Sequence, residues 1–178
     1  MARVSRKDAV AERTLVRRLS GRVGRLSRLL SGAVVDPDDA AQLSLLEILG
    51  SASTFLTAVS LEGWADRITV RTVRRLIRRE LARRSLLARW VTPGELPWGR
   101  RGDPGREPLG LDALLIRLSP ERREVLVLRH ALEYSVEEIA ELTSAPVGTV
   151  KDRLVAARKE LRRALEREAA RALRGRSS

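Results

Sequence analysis

The sequence predicts an all-α protein of two small helical domains joined by an irregular Pro/Gly-rich linker. Three observations predict it. Apolar residues recur at three- and four-residue spacing, the period of an amphipathic helix. Helix-start signals stand at Asp36-Pro37, Ser119-Pro120 and Ser135. The seventeen residues from Thr92 to Pro108 are so rich in Pro and Gly that neither helix nor regular strand fits them. The expected boundaries are a first domain over 1–90, a linker over 91–108 and a second domain over 109–178.

The first domain reads as three helices. Leu15, Leu19, Val23, Leu26 and Leu30 form the stripe of the first, with Gly21 and Gly24 weakening its middle by about 1 kcal/mol each. Asp36-Pro37-Asp38-Asp39 starts the second, with Pro and acids in the first turn. Leu45, Leu46, Ile48 and Leu49 are expected as its buried side. After a link over Thr57 to Ser60, a long helix is expected from about Leu61 to Arg89. Arg67, Arg71, Arg74 and Arg78 fall within roughly 60° of one another on its wheel. Leu61, Ala65, Ile68, Thr72 and Leu76 lie opposite. One face is therefore a core seam and the other an Arg ridge. A solvated helix face usually alternates its signs for mutual support; this ridge carries no acid, and phosphate contact is the reading preferred. Trp64 lies near the seam and is expected to be buried rather than to stack on an unpaired base.

In the second domain, Leu111, Leu114, Leu115 and Leu118 make a short helix that ends at Ser119-Pro120. Ser119 caps the next helix, whose buried side is Val125, Leu126, Leu128 and Leu132. Ser135 caps a third, and Glu138 three residues on completes a capping box. After the break at Thr143-Ser144-Ala145-Pro146, a fourth helix packs through Val150, Leu154, Ala157 and Leu161. Its far side shows Gly148, Asp152, Val155 and Lys159, flanked by Thr149, Lys151 and Ala156. A short helix, a tight break and a second helix running into basic residues is the helix-turn-helix plan, whose second helix lies in the DNA major groove. The Arg-rich end from Arg162 to Arg176 reads as a solvated helix end.

Charge and composition agree with a polyanionic partner. The 178 residues carry 35 Lys and Arg against 23 Asp and Glu, a formal net charge of +12. The excess is uneven: residues 1–90 hold 18 basic and 9 acidic side chains, residues 109–178 hold 14 and 11. Aromatics are 3% of the chain, so the cores must be built from Leu, Val, Ile and Ala. There is no Cys, which excludes disulfides, thiolate catalysis and a Cys-built zinc site and fits a reducing cytoplasm. His130 is the only histidine and has no companion ligand, so no metal is expected. The acids are dispersed and no Gly-rich phosphate loop occurs, so the chain reads as a non-enzyme without cofactor. No secretory signal core and no membrane-spanning stretch is read from the sequence.

Ser119-Pro120-Glu121-Arg122-Arg123-Glu124-Val125 with Leu128-Arg129, Tyr134-Ser135-Val136-Glu137-Glu138-Ile139-Ala140-Glu141, Pro146-Val147-Gly148-Thr149-Val150-Lys151 with Arg153-Leu154, and Ala157-Arg158-Lys159-Glu160-Leu161 together resemble region 4 of bacterial sigma factors of the extracytoplasmic-function type. The match to region 2 is looser. Asp39-Ala40-Ala41-Gln42 stands where that family has an Asp-x-x-Gln clamp-binding motif, and Phe55, Trp64, Arg67, Ile68 and Thr72 follow in register without gaps. The resemblance implies a transcription initiation subunit whose partners are core RNA polymerase, promoter DNA and an anti-sigma factor. It implies clamp binding by Asp39, Gln42 and Leu46, and −10 recognition by Arg67, Arg71, Arg74, Arg75 and Arg78. It implies −35 recognition by Pro146, Gly148, Thr149, Lys151, Asp152, Val155, Ala156, Arg158 and Lys159. Departures from the family pattern are Leu43 where an acid is usual, Ala65 and Asp66 where aromatics are common, and Arg71 in place of Asn. In the second domain they are Ser144 at the turn Gly, the small Ala145, Asp152 at a small hydroxyl and Ala156 at a frequent Arg. Two other readings stand beside this one: a free-standing helix-turn-helix regulator, and an adaptor that keeps the same shape but sequesters a regulator.

Overall fold

A computed structural model describes residues 8–55, 60–87 and 111–175. The chain divides into two compact units, Met1–Arg106 and Glu107–Ser178. Every regular element among the described residues is helical. The expected linker over 91–108, with Trp98, lies outside the described residues, as do most of the expected link from Thr57 to Ser60 and the last turn expected for the long helix.

In the first unit, α1 (Ala9–Ser31), α2 (Pro37–Gly50) and α3 (Leu61–Leu87) pack against one another in all three pairs. Helix α1 begins at Asp8, whose carboxylate accepts from the amides of Val10 and Ala11. It runs unbroken through Gly21 and Gly24 and stops at Gly32, where φ is 57° and a side chain would be strained. Asp36 caps α2 by accepting from the amides of Asp38 and Asp39, with Pro37 at the first position. A short 3₁₀ turn over Ala52–Thr54 follows, which the sequence did not signal.

The core joins Leu15, Leu19 and Val23 of α1 to Ile48 of α2, Ala52, and Trp64 and Ala65 of α3. Trp64 is buried there as expected, with Phe55 edge-on at 5.4 Å. Two ion pairs fix the register of α1 on α3. Arg18 bonds Glu62, and one turn later on both helices Arg22 makes a bidentate bond to Asp66 at 2.7 and 2.6 Å. A step of four residues in the same direction on each helix means that α1 and α3 run parallel. Consistently, the C-terminal part of α3 returns to the α1–α2 loop, where Arg84 donates to the Val34 carbonyl. Glu80 holds Arg83 and Arg84, and these two guanidinium groups pull its pKa down to about 2.

Leu46 corrects the expected buried side of α2. Ile48 is fully buried and Leu45 and Leu49 are half-buried, but Leu46 is 57% exposed. The helix is apolar almost all round, so periodicity alone did not choose its inner face. The face it buries is lined by Ala40, Ser44 and Ile48, and the small Ala40 and Ser44 let neighbouring helices approach.

In the second unit, α4 (Leu111–Ile116), α5 (Pro120–His130), α6 (Val136–Thr143) and α7 (Val147–Gly175) surround a core of Leu114, Leu115, Leu118, Val125, Leu128, Ile139, Val150, Leu154 and Ala157. Leu118 lies just past α4, after a tightened turn in which the Arg117 and Leu118 amides bond three residues back. Helix α5 is buried on more than the expected stripe, because Arg123, Glu124 and Val127 are also inside. Leu132 falls beyond the end of that helix and is half-buried. Burial pushes the Arg123 guanidinium below its ordinary pKa, and its Nη2 donates to the Leu118 carbonyl at the α4–α5 corner.

Candidate nucleic-acid interface

The second unit builds a helix-turn-helix from α6 and α7. Ser135 Oγ accepts from the Glu138 amide and Glu138 Oε2 accepts from the Ser135 amide, so the capping box is complete. Ile139 and Thr143 anchor α6 inward. The break turns on Ser144, at φ 51° and ψ 43°. A left-handed conformation costs a residue with a side chain about 1 kcal/mol relative to Gly. The following amide, on Ala145, bonds the Ala140 carbonyl, which closes the helix end. Helix α7 then starts at Val147 and buries Val150, Leu154, Ala157 and Ala164, with Leu161 half-buried.

The opposite face of α7 is the candidate groove-reading surface. Pro146 in the turn, and Gly148, Lys151, Asp152, Val155, Arg158 and Lys159 on the helix, are exposed; Thr149 and Ala156 are half-buried at its edge. Gly148, Asp152, Val155, Ala156 and Lys159 form the central strip, with Lys151 and Arg158 to one side of it. Two cross-links brace α7 on α5. Arg122 donates to Glu160, and Arg158 Nη2 stands 3.3 Å from His130 Nε2. A guanidinium has only donors, so this contact uses the unprotonated Nε2 as acceptor. The lone histidine thus steadies a cation of the groove face.

The Arg ridge of α3 is also at the surface. Arg67, Arg71 and Arg78 are exposed and pair with no acid among the described residues. The other two members differ. Arg74 is half-buried and engaged, and Arg75 pairs with Glu47 of α2. Burial alone would raise the Glu47 pKa, but the hydrogen bonds from Thr72 and Arg75 outweigh it and hold the carboxyl below its ordinary value. The ridge's uncommitted charge is therefore that of Arg67, Arg71 and Arg78.

On α2, Asp39, Gln42 and Leu46 are all exposed and fall within about 60° on the helix wheel. Leu43, 41% exposed, lies in the same patch. Sequence reasoning passed over it as a contact, although its position one turn after Asp39 places it there. Two bare leucines beside an acid and an amide make a small mixed surface of the kind that docks protein. No helix among the described residues is long and apolar enough to cross a membrane.

The described surfaces are thus a helix-turn-helix on one unit, and a basic ridge with a separate apolar-acidic patch on the other. Comparison with known proteins narrows the class. Residues 109–161 match the family described as Sigma-70, region 4. The chain is 30% identical over 156 residues to the ECF RNA polymerase sigma factor SigE of Mycolicibacterium smegmatis. That alignment covers 83% of this chain and 59% of SigE, so the chain spans about three fifths of that relative's length. Its fold is similar to that of the sigma factor RpoE from Bartonella quintana, solved in complex with the anti-sigma factor NepR: TM-score 0.62, 21% identity, 86% of this chain and 96% of that one. It is also similar to CnrH, solved with the cytosolic domain of CnrY: TM-score 0.56, 24% identity, 93% and 94% covered. Residues 109–161 thus carry the Sigma-70 region 4 match, and the chain is similar over most of its length to a sigma factor of the extracytoplasmic-function type.

Proposed function

We propose that this chain is a promoter-specificity subunit that binds core RNA polymerase, directs it to −10 and −35 elements and promotes DNA opening. In this reading residues 1–90 form region 2, with Asp39, Gln42 and Leu46 on the polymerase clamp and the α3 ridge on the −10 element. Residues 91–108 connect the units, and residues 109–178 form region 4, with the outer face of α7 in the −35 major groove. The polymerase supplies the chemistry and the chain supplies the address. An anti-sigma factor is the expected inhibitor, since the structural neighbour RpoE is held by one. The site of action is the cytoplasm.

The observation that carries the proposal is an exposed Arg cluster on α3 of the first unit in addition to the helix-turn-helix of the second. A free-standing regulator needs only the helix-turn-helix, and would leave the exposed, acid-free charge of Arg67, Arg71 and Arg78 without a task.

The test is transcription in vitro with core RNA polymerase, using the chain's own upstream region as template. The wild-type chain is expected to give specific transcripts only together with core enzyme. Replacing Arg67, Arg71 and Arg78 by Gln should leave folding within about 0.5 kcal/mol, because all three are exposed. The holoenzyme should still assemble, but open-complex formation should fall by tenfold or more. The slope of log affinity against log salt should shrink by about 2, as expected for three lost phosphate contacts to largely single-stranded DNA. Undiminished transcription by the triple variant would reduce the ridge to a solvated face. Tight sequence-specific binding by the chain alone would favour the free-standing regulator.

A further inference from the structure

The outer face of α7 has an unusual build for a groove reader. Along its centre run Gly148, Asp152, Val155 and Ala156, with Thr149 beside them. The large cations Lys151 and Arg158 stand to one side, roughly 100–120° from Asp152 on the wheel, and Lys159 lies two turns further on. The centre is therefore short-chained and the flank is basic. Gly148 has open space where a side chain would stand, with nothing within 4 Å of its Cβ position. Such a strip lets the helix axis sit deep between the phosphate rails while Lys151 and Arg158 reach them. A short aspartate gets to base edges only under that condition.

Asp152 is exposed, and no ion pair or hydrogen bond with a described residue occupies its carboxylate. A carboxylate in the major groove is repelled by phosphates and gains only from a hydrogen-bond donor. Two base amino groups are available, on cytosine and on adenine. The adenine amino group sits next to N7, an acceptor that repels the second carboxylate oxygen; the cytosine amino group has no acceptor beside it in the groove on its own base. One turn away, Val155 is 65% exposed, and the apolar partner a major groove offers it is the thymine methyl. Asp152 and Val155 are about 4.5 Å apart along the helix, against about 3.4 Å per base-pair step.

We infer that Asp152 and Val155 are the specificity-determining pair of the groove face, reading a cytosine and a thymine one or two base pairs apart in the −35 element. This rests on the proposed function and names the sequence that function selects. Lys151, Arg158 and Lys159 hold the backbone and offset the carboxylate's repulsion.

The test is selection of active promoters from a library randomised across the −35 element, transcribed by core RNA polymerase loaded with wild-type, Asp152→Asn, Asp152→Ala or Val155→Ser chain. Wild type should favour cytosine at one position by roughly tenfold, the size of a good base contact. Asp152→Asn should switch that position to adenine, whose N6 and N7 an amide side chain satisfies together. Asp152→Ala should flatten the preference and raise affinity for unrelated DNA, since a negative charge is gone. Val155→Ser should lose the thymine one or two base pairs away and leave the cytosine. Identical selected sequences for wild type and Asp152→Asn, with transcripts formed by both, would overturn the inference and leave the sigma reading intact. If the wild-type chain programs no transcription from any library member, the functional reading fails and takes the inference with it. Circular dichroism of each variant confirms that the substituted helix is folded.

Discussion

Asp39→Arg combined with Gln42→Ala should abolish co-purification with core RNA polymerase and leave the helical content of the chain unchanged. Both side chains are exposed on α2 and neither takes part in the core. Helix capping survives, because Asp36 rather than Asp39 supplies the carboxylate and Asp38 keeps an acid in the first turn. Losing one acid near the positive end of the helix dipole costs about 0.5 kcal/mol. At the proposed interface the same exchange places a cation where an acid was matched and removes an amide beside it. The few hot-spot residues near the centre of an interface cost about 2 kcal/mol or more each when truncated. Leu46→Glu gives a second reading of the same patch without touching the motif: it puts charge on a bare leucine and should weaken assembly by at least tenfold. Pull-down of core enzyme with each variant measures this. Undiminished assembly with both variants would remove the α2 face from the polymerase contact.

Arg22→Ala should destabilise the first unit by about 3 kcal/mol, a large part of the stability of a small domain. The Asp66 side chain is only 5% exposed and receives both donors of the Arg22 fork. Removing the cation leaves a buried carboxylate without its bidentate partner, and that orphaned group is what makes the loss costly. The double variant Arg22→Ala with Asp66→Ala should therefore be more stable than Arg22→Ala alone, since no charge is left behind. Urea unfolding of the four members of this cycle checks it. Equal midpoints for the wild type and Arg22→Ala would show that water solvates Asp66 adequately through the exposed side of the pair.

The contrast between these two predictions shows what the sequence could and could not disclose. The caps at Asp36, Ser119 and Ser135 are local devices, each complete within four residues, and the structure forms all three. The stripes of α1 and α7 were equally legible, because each has one apolar side. The Arg22–Asp66 pair joins residues 44 positions apart, and no local period encodes such a choice. Asp66 showed in the sequence only as a departure from a family pattern; the fold gives it a partner. Helix α2 failed for a different reason. With leucines at 43, 45, 46 and 49 and Ile48 among them, its apolar residues cover too much of the wheel, and only the approach of α1 and α3 decides which are covered. The exposed positions of α7 were legible; that His130 steadies Arg158, and that Ser144 holds a left-handed turn, needed the three-dimensional structure.

The burial of Trp64 against Phe55 has a spectroscopic consequence. The chain's three tryptophans all precede residue 107, at positions 64, 90 and 98, and the second unit carries none. Emission from Trp64 during denaturation therefore follows the core of the first unit. Amide ellipticity follows both units at once. A gap between the midpoints of these two signals measures directly how far the two units unfold as separate cooperative bodies.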